Sequence, residues 1–204
     1  MVEVETRPDR RLTLRERNRQ RTRSAILDST AELLGETGYS SISLEEVSQR
    51  AGLARGTLYA HFPGGREEIV QEVYLRIADA VYVRGISLRE EAHDVPSRVA
   101  ALARSLVETT STPAGRFYGV LGPDIVPVLS TVMGSTSKSF EALIRLDLAA
   151  ASGRGQLNKE SDIDAFAAAL SGAIRASGFR SATEPHVADQ QVEAVRLLTQ
   201  GLLS

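Results

Sequence analysis

Cysteine is absent from the 204-residue chain, which excludes disulfides, thiolate metal sites and cysteine nucleophiles. Histidine is nearly so: His61, His93 and His186 stand far apart in sequence. No HExxH, GxSxG, P-loop or Rossmann pattern accompanies them, so neither a catalytic constellation nor a metal set is expected. Gly153-Arg154-Gly155 is an isolated glycine pair and a poor phosphate cradle. Asp162 and Asp164 suit a helix start better than paired acid–base chemistry. No cofactor and no enzymatic activity are expected. Apolar runs never approach the ~20 residues that span a bilayer. The Arg-rich N-terminus has no apolar segment behind it, so no secretory signal is read and a cytoplasmic location is expected. Lysine is scarce, with Lys138 and Lys159 against 22 arginines, and carries no functional weight.

What is present is ordinary for a soluble globular protein: 42% hydrophobic and 25% charged residues. The net charge of −2 hides an asymmetry. Seven arginines face one acid, Glu16, between Arg10 and Arg23, a local charge of +6. Residues 63–204 carry 14 basic and 17 acidic residues, or −3. A basic arm on a mildly acidic body points to a polyanion at one end, or to a solubilising tail. Residues 1–18, polar and aperiodic, are expected to form that arm without fixed structure.

Helical periodicity starts at Arg19, with Ile26, Thr30, Leu33 and Leu34 on one face and a stop at Gly38. Ser43-Leu44-Glu45-Glu46 is a capping box opening a second helix, buried through Leu44, Val47 and Ala51. Gly52 sits where a positive φ closes that helix. The short segment that follows has only Leu53, Leu58 and Phe62 to anchor it. A two-turn helix with a buried edge and a cationic, hydroxyl-rich outer face suits a DNA major groove.

Pro63-Gly64-Gly65 breaks the chain, and a long helix from Arg66 to about Leu88 links this unit to the rest. The remainder reads as helical, with no period-2 run. Asp94 caps one helix, a short segment surrounds Phe117, and one long helix is expected from Asp124 to Ala151. Ser161 opens another that ends near Ala182, and a last helix follows Pro185. The fold class is all-α: a three-helix N-terminal helix-turn-helix domain over residues 19–65 and a larger helical domain over 66–204. The small-residue helix with Ala165, Ala169 and Ala173, and the amphipathic one with Val192, Val195 and Leu198, read either as a dimer interface or as packing within one subunit.

From Arg23 to about Val70 the chain resembles the N-terminal domain of the TetR family of bacterial transcriptional regulators. The resemblance rests on Ile26…Ala31-Glu32-Leu33-Leu34…Gly38-Tyr39, Ser43-Leu44-Glu45-Glu46-Val47, Arg50-Ala51-Gly52-Leu53 and the specific run Gly56-Thr57-Leu58-Tyr59-Ala60-His61-Phe62. Two departures stand out. Ala54 occupies a position that is usually Ser or Thr, and the Pro63–Arg66 link is one residue longer than the commoner one and lacks its Ser-Lys.

The resemblance implies a homodimeric repressor that binds double-stranded operator DNA and is released by a small-molecule effector of unknown identity. It implies DNA contacts from Arg55, Gly56, Thr57, Tyr59 and His61, with Arg55 the candidate for a base edge. Ser43, Ala54 and Ala60 lie on the same surface, and Arg19, Arg21 and Arg23 are placed to reach flanking phosphates. It also implies an effector cavity within residues 95–180, for which Tyr82, His93, Arg116, Phe117, Tyr118 and Phe140 are candidates; core packing or exposure are the alternatives for each.

Overall fold

Thr13 and Glu16 start the first helix. The Glu16 carboxylate accepts from the Thr13 amide at 2.7 Å, while the Thr13 hydroxyl accepts from the Glu16 amide at 3.2 Å. This capping box launches α1, Leu14–Thr37, in a computed structural model that describes residues 13–157 and 162–203. The helix therefore begins five residues before Arg19, and Leu14–Asn18 are helical where an unstructured arm was expected. Residues 1–12, which hold the rest of that arm, lie outside the described residues. The burial pattern explains the misplaced start. Apolar burial begins only at Ile26, so the first three turns of α1 are solvated and carry no periodic signal.

Gly38 ends α1, its amide donating to the Leu34 carbonyl at 3.1 Å. A single 3-10 turn at Tyr39–Ser41 leads to α2, Leu44–Arg50, and then α3, Arg55–His61. The linking helix α4 spans Gly65–Glu90. Behind it come α5, Val95–Thr110, capped by Asp94 through the Ser97 amide at 2.7 Å, and the short α6, Pro113–Gly119.

The helix expected from Asp124 to Ala151 is two: α7, Val126–Leu129, and α8, Ser135–Gly153. Between them Gly134 adopts φ +86°, a left-handed conformation that stops an α-helix and that glycine takes without a Cβ clash. The start of α9, Ile163–Thr183, is capped by Asp162, which accepts from Ala165 at 3.0 Å; Ser161, the expected cap, lies outside the described residues. A 3-10 turn at Pro185–Val187 precedes α10, Ala188–Gln200. Ten α-helices and no strand ladder occur among the described residues, the one extended pairing being an isolated bridge from Leu157 to Leu203.

One buried apolar cluster runs from Ile26 and Leu58 through Val73 and Val81 of α4 to Phe140, Ile174 and Val195. The boundary expected at 65/66 falls one residue inside α4, and the core passes across it. A second joint is closer still. A Cβ on Gly35 of α1 would fall 1.8 Å from the Pro113 carbonyl oxygen, so α6 sits directly on the backbone of α1.

The far end of α4 is pinned electrostatically. Asp147 of α8, only 3% exposed, accepts from Arg89 at 2.9 and 2.6 Å and from Arg98 at 3.1 Å. Removing one member of a buried ion group strands the others without their counter-charge. Asp147→Ala should therefore lose about 3 kcal/mol of unfolding free energy, read from urea titrations. A loss indistinguishable from zero would mean that solvent reaching Arg98 already screens the triad.

Candidate nucleic-acid interface

Two fully buried side chains, Leu58 and Phe62, hold α3 against the small core. Its approach is fixed by α2, whose Ser43–Glu46 capping box is closed in both directions, at 2.7 and 3.2 Å. Gly52 takes the expected positive φ of +66°, and the Leu53 amide donates back to the Ser48 carbonyl at 2.9 Å. The turn then delivers Ala54, Arg55, Gly56, Tyr59 and Ala60 to the solvent, with Thr57 and His61 half-buried beside them. Neither Arg55 nor Tyr59 makes a side-chain hydrogen bond or ion pair among the described residues. The outer face of α3 is thus a set of unspent donors, with Ser43 exposed at the neighbouring helix start.

Arg19 and Arg21 are exposed on α1, in line with a flanking contact. Arg23 is not free for one. Its guanidinium donates to the His61 carbonyl at 2.6 Å, pairs with Glu72 of α4, and lies 4.0 Å above the centre of the Phe62 ring. The C-terminal carbonyl of α3 points at α1, and a cation there satisfies an acceptor that the helix leaves open. His61 is held below the ordinary imidazole range by burial first and then by Arg19 and Arg23, so it is neutral at pH 7. Its Nδ1 is buried and has no partner among the described residues.

Behind this interface, α4, α5, α6, α8 and α9 enclose a cavity of about 350 Å³. Tyr74, Tyr118, Thr136, Phe140, Ile174 and Arg175 line it. Tyr118 and Phe140 were expected there; the other candidates lie elsewhere. Tyr82 stacks on Phe140 from the surface side, centroids 6.5 Å apart, in a shallow groove with Leu75 and Asp79. His93 is exposed at the distal end beside Asp94. Arg116 and Phe117 face Leu34 and Gly35 of α1, because successive residues of α6 point about 100° apart and it is Tyr118 and Gly119 that turn to the cavity. Tyr74, Thr136 and Arg175 belong to the lining without having been singled out, since nothing local distinguishes them from core or surface positions. The Tyr118 phenol is pushed well above its ordinary pKa by burial, with Tyr74 adding to it, so it stays protonated and donates to Thr136 at 2.8 Å.

Of the expected interface residues, Ala165, Ala169 and Leu198 are exposed and Ala173 is half-buried. Val192 and Val195 are not available. Val192 packs on Ala100 and Val107 of α5, and Val195 lies in the main core, because the apolar stripe of α10 faces inward. Phe179, Leu197 and Leu198, each more than half exposed, are the large apolar side chains on the outer faces of α9 and α10. Among the described residues no cluster of His, Asp and Glu could hold a metal, and no helix is long and apolar enough to cross a membrane.

A capped helix, a glycine turn and a short exposed helix on a helical body define a helix-turn-helix protein. Residues 26–73 match the family model for bacterial regulatory proteins of the tetR family. The HTH-type transcriptional regulator AlkX of Mycobacterium tuberculosis is 36% identical over 72 residues, 35% of this chain and 34% of AlkX. The match thus spans about a third of the length of that curated relative. A TetR-family transcriptional regulator from Pectobacterium atrosepticum shares the fold with a TM-score of 0.68 at 22% identity, over 92% of this chain and 96% of its own. RolR, solved with its ligand resorcinol, shares it at 0.54 and 21% identity, over 90% and 89%. The N-terminal part of this chain thus resembles the tetR family of bacterial regulatory proteins, and its whole length shares the fold of solved regulators of that family.

Ala54 has the extended backbone of a helix cap, φ −69° and ψ 144°, but no side-chain acceptor. Ala54→Ser should therefore stabilise α3 by about 1 kcal/mol, seen as slower hydrogen exchange at its first amides. Unchanged exchange would show that those amides are already satisfied in the free protein.

Proposed function

We propose that the chain is a ligand-responsive transcriptional regulator, a repressor that acts in the cytoplasm, binds a palindromic operator as a homodimer, and leaves it when a small molecule fills the cavity. The unspent outer face of α3 carries this reading. It offers a planar guanidinium at Arg55 for guanine, Thr57 for a phosphate through its hydroxyl or a thymine methyl through its own methyl, the Tyr59 hydroxyl for phosphate, and a close backbone approach at Gly56. Arg19 and Arg21 extend the positive surface along α1.

The second half of the reading rests on shared walls. Tyr74 is on α4, the helix that leaves the α3 turn, and Tyr118 is on α6, which is seated on α1 through Gly35. A ligand that spreads this cavity acts on both helices that carry the DNA-binding domain. Two α3 helices on a dimer meet successive major grooves when spaced roughly 34–36 Å apart. A ligand shifts that spacing only by as much as its affinity differs between the two arrangements. Dimerisation would use the small exposed side chains of α9 together with Phe179, Leu197 and Leu198.

Fragments enriched from genomic DNA should share a palindrome. Arg55→Ala should then lose about 1–3 kcal/mol of discrimination at one base pair per half-site, by fluorescence anisotropy on single-substituted operators. Equal weakening on every duplex would assign Arg55 to phosphate and favour sequence-independent binding. Ala169→Arg, a charge placed on the exposed side of α9, should yield monomers in sedimentation; a persisting dimer would move the interface elsewhere.

A further inference from the structure

The cavity has a lopsided chemistry. Among the described residues its lining contains no aspartate, glutamate, lysine or histidine, and Arg175 is the one charged group. The inner hydroxyls are largely occupied with the protein itself. Tyr118 donates to Thr136 at 2.8 Å, Thr136 to the Ala78 carbonyl at 3.4 Å, and Ser171 to the Ser137 carbonyl at 3.2 Å. The remaining depth is apolar, walled by Leu106, Phe140 and Ile174. A ligand therefore meets hydrocarbon and aromatic surface inside, and a cation at one edge.

Arg175 sits where the mouth is. On α9, Ser171, Ile174 and Gly178 are buried toward the cavity, while Ala165, Ala169 and Ala176 face out; Arg175 and Phe179 occupy the flank between. The guanidinium folds back over Gly172, where a Cβ would come within 3.9 Å of Nη2. It has no ion-pair partner among the described residues. The other arginines on α8 and α9 differ: Arg145 pairs with Glu141 and Asp164, and Arg180 with Glu184. Arg175 is exposed in the single chain; in the dimer proposed above, a second copy over the adjacent alanine stripe would withdraw water from it and make an unpaired cation there costly.

We infer that the cavity takes a small amphiphile with a carboxylate head, its apolar body among Leu106, Phe140 and Ile174 and its head on Arg175. This rests on the effector reading above and assigns its chemical class. The carboxylate supplies the counter-charge that the protein withholds, through charge-assisted hydrogen bonds to a planar fork. An amine of the same shape meets a like charge and no acid. A volume of about 350 Å³ holds a compact ligand, near the lower end of the roughly 300–1,000 Å³ seen for small-molecule sites.

The test compares octanoate, octanamide and octylamine, equal in length and different in charge, by calorimetric titration into the full chain. Octanoate should bind roughly tenfold tighter than octanamide, and octylamine should not bind. Arg175→Gln should bring octanoate down to the octanamide level without changing octanamide, and Arg175→Lys should keep the preference for the anion. Equal affinity for acid and amide, binding of the amine, a preference that survives Arg175→Gln, or no binding by any of the three would each overturn the assignment. Operator binding by the same proteins without additive is measured in parallel. If it stays sequence-selective while the ligand series fails, the ligand class is wrong and the regulator reading stands. If selective DNA binding is absent, that reading is what has failed.

Discussion

The posture of α3 depends on Arg23. Seven residues, no side-chain cap and two buried anchors do not fix a helix by themselves, because isolated helices this short are unstable in water. Arg23 supplies what is missing from outside. It closes the carbonyl end of α3 at His61, lies on the ring of Phe62, and ties both to Glu72 of α4. One guanidinium thus joins α1, α3 and α4, and the direction in which Arg55 and Tyr59 project follows from where those helices meet. Burial first, then Arg19 and this same cation, lower the pKa of His61 and favour its neutral form at the end of α3.

That arrangement makes the orientation of α3 follow α4. Its start is set by the Pro63–Gly65 break and its distal end by the Asp147 triad, so the helix is held at both extremities and the cavity opens on its middle, at Tyr74. Pressure there cannot be relieved by sliding α4 lengthwise without breaking a buried ion group. Tilting about the pinned end would leave that ion group intact, and would displace Glu72 and with it Arg23. On the other side α6 has no slack against α1, since the Gly35–Pro113 contact leaves no room for a side chain. The two routes from the cavity to the helix-turn-helix are both tight, which is what transmission of a small displacement requires.

Local chemistry was legible in the sequence, and distant chemistry was not. The Ser43 box, the Asp94 cap and the turn at Gly52 are each settled by residues within four positions of one another, and each stands where expected. The helical class and the outer face of α3 followed from 3.6-residue periodicity. The single helix read from Asp124 to Ala151 failed at Gly134, where a left-handed residue outranks the apolar stripe on either side. Arg23 was misjudged for a different reason: its partners are 38 and 49 residues away, and a cation beside other cations reads as solvated until α4 is folded against it. Tyr82 and Phe117 show the same limit within a single turn, since a rotation of 100° separates cavity from surface and only packing fixes its phase. Val192 and Val195 could be given to a dimer interface or to packing within one subunit, because an apolar stripe does not say which neighbour covers it; the covering neighbours are α5 and the main core.

The missing cap at Ala54 acquires a meaning from this wiring. A helix stabilised from within would hold its shape whatever α4 did. A helix whose first two amides are open and whose last carbonyl is held by Arg23 has its order set by tertiary contacts at one end and is left to an outside acceptor at the other. The open amides at the start of α3 can find acceptors on a nucleic-acid phosphate, and helix N-termini favour such anions. The weakness at the front of the helix and the anchor at its back then act in the same direction. In the proposed regulator, DNA would complete α3 where the sequence leaves it incomplete, and a displaced α4 would remove the anchor that presents it to DNA.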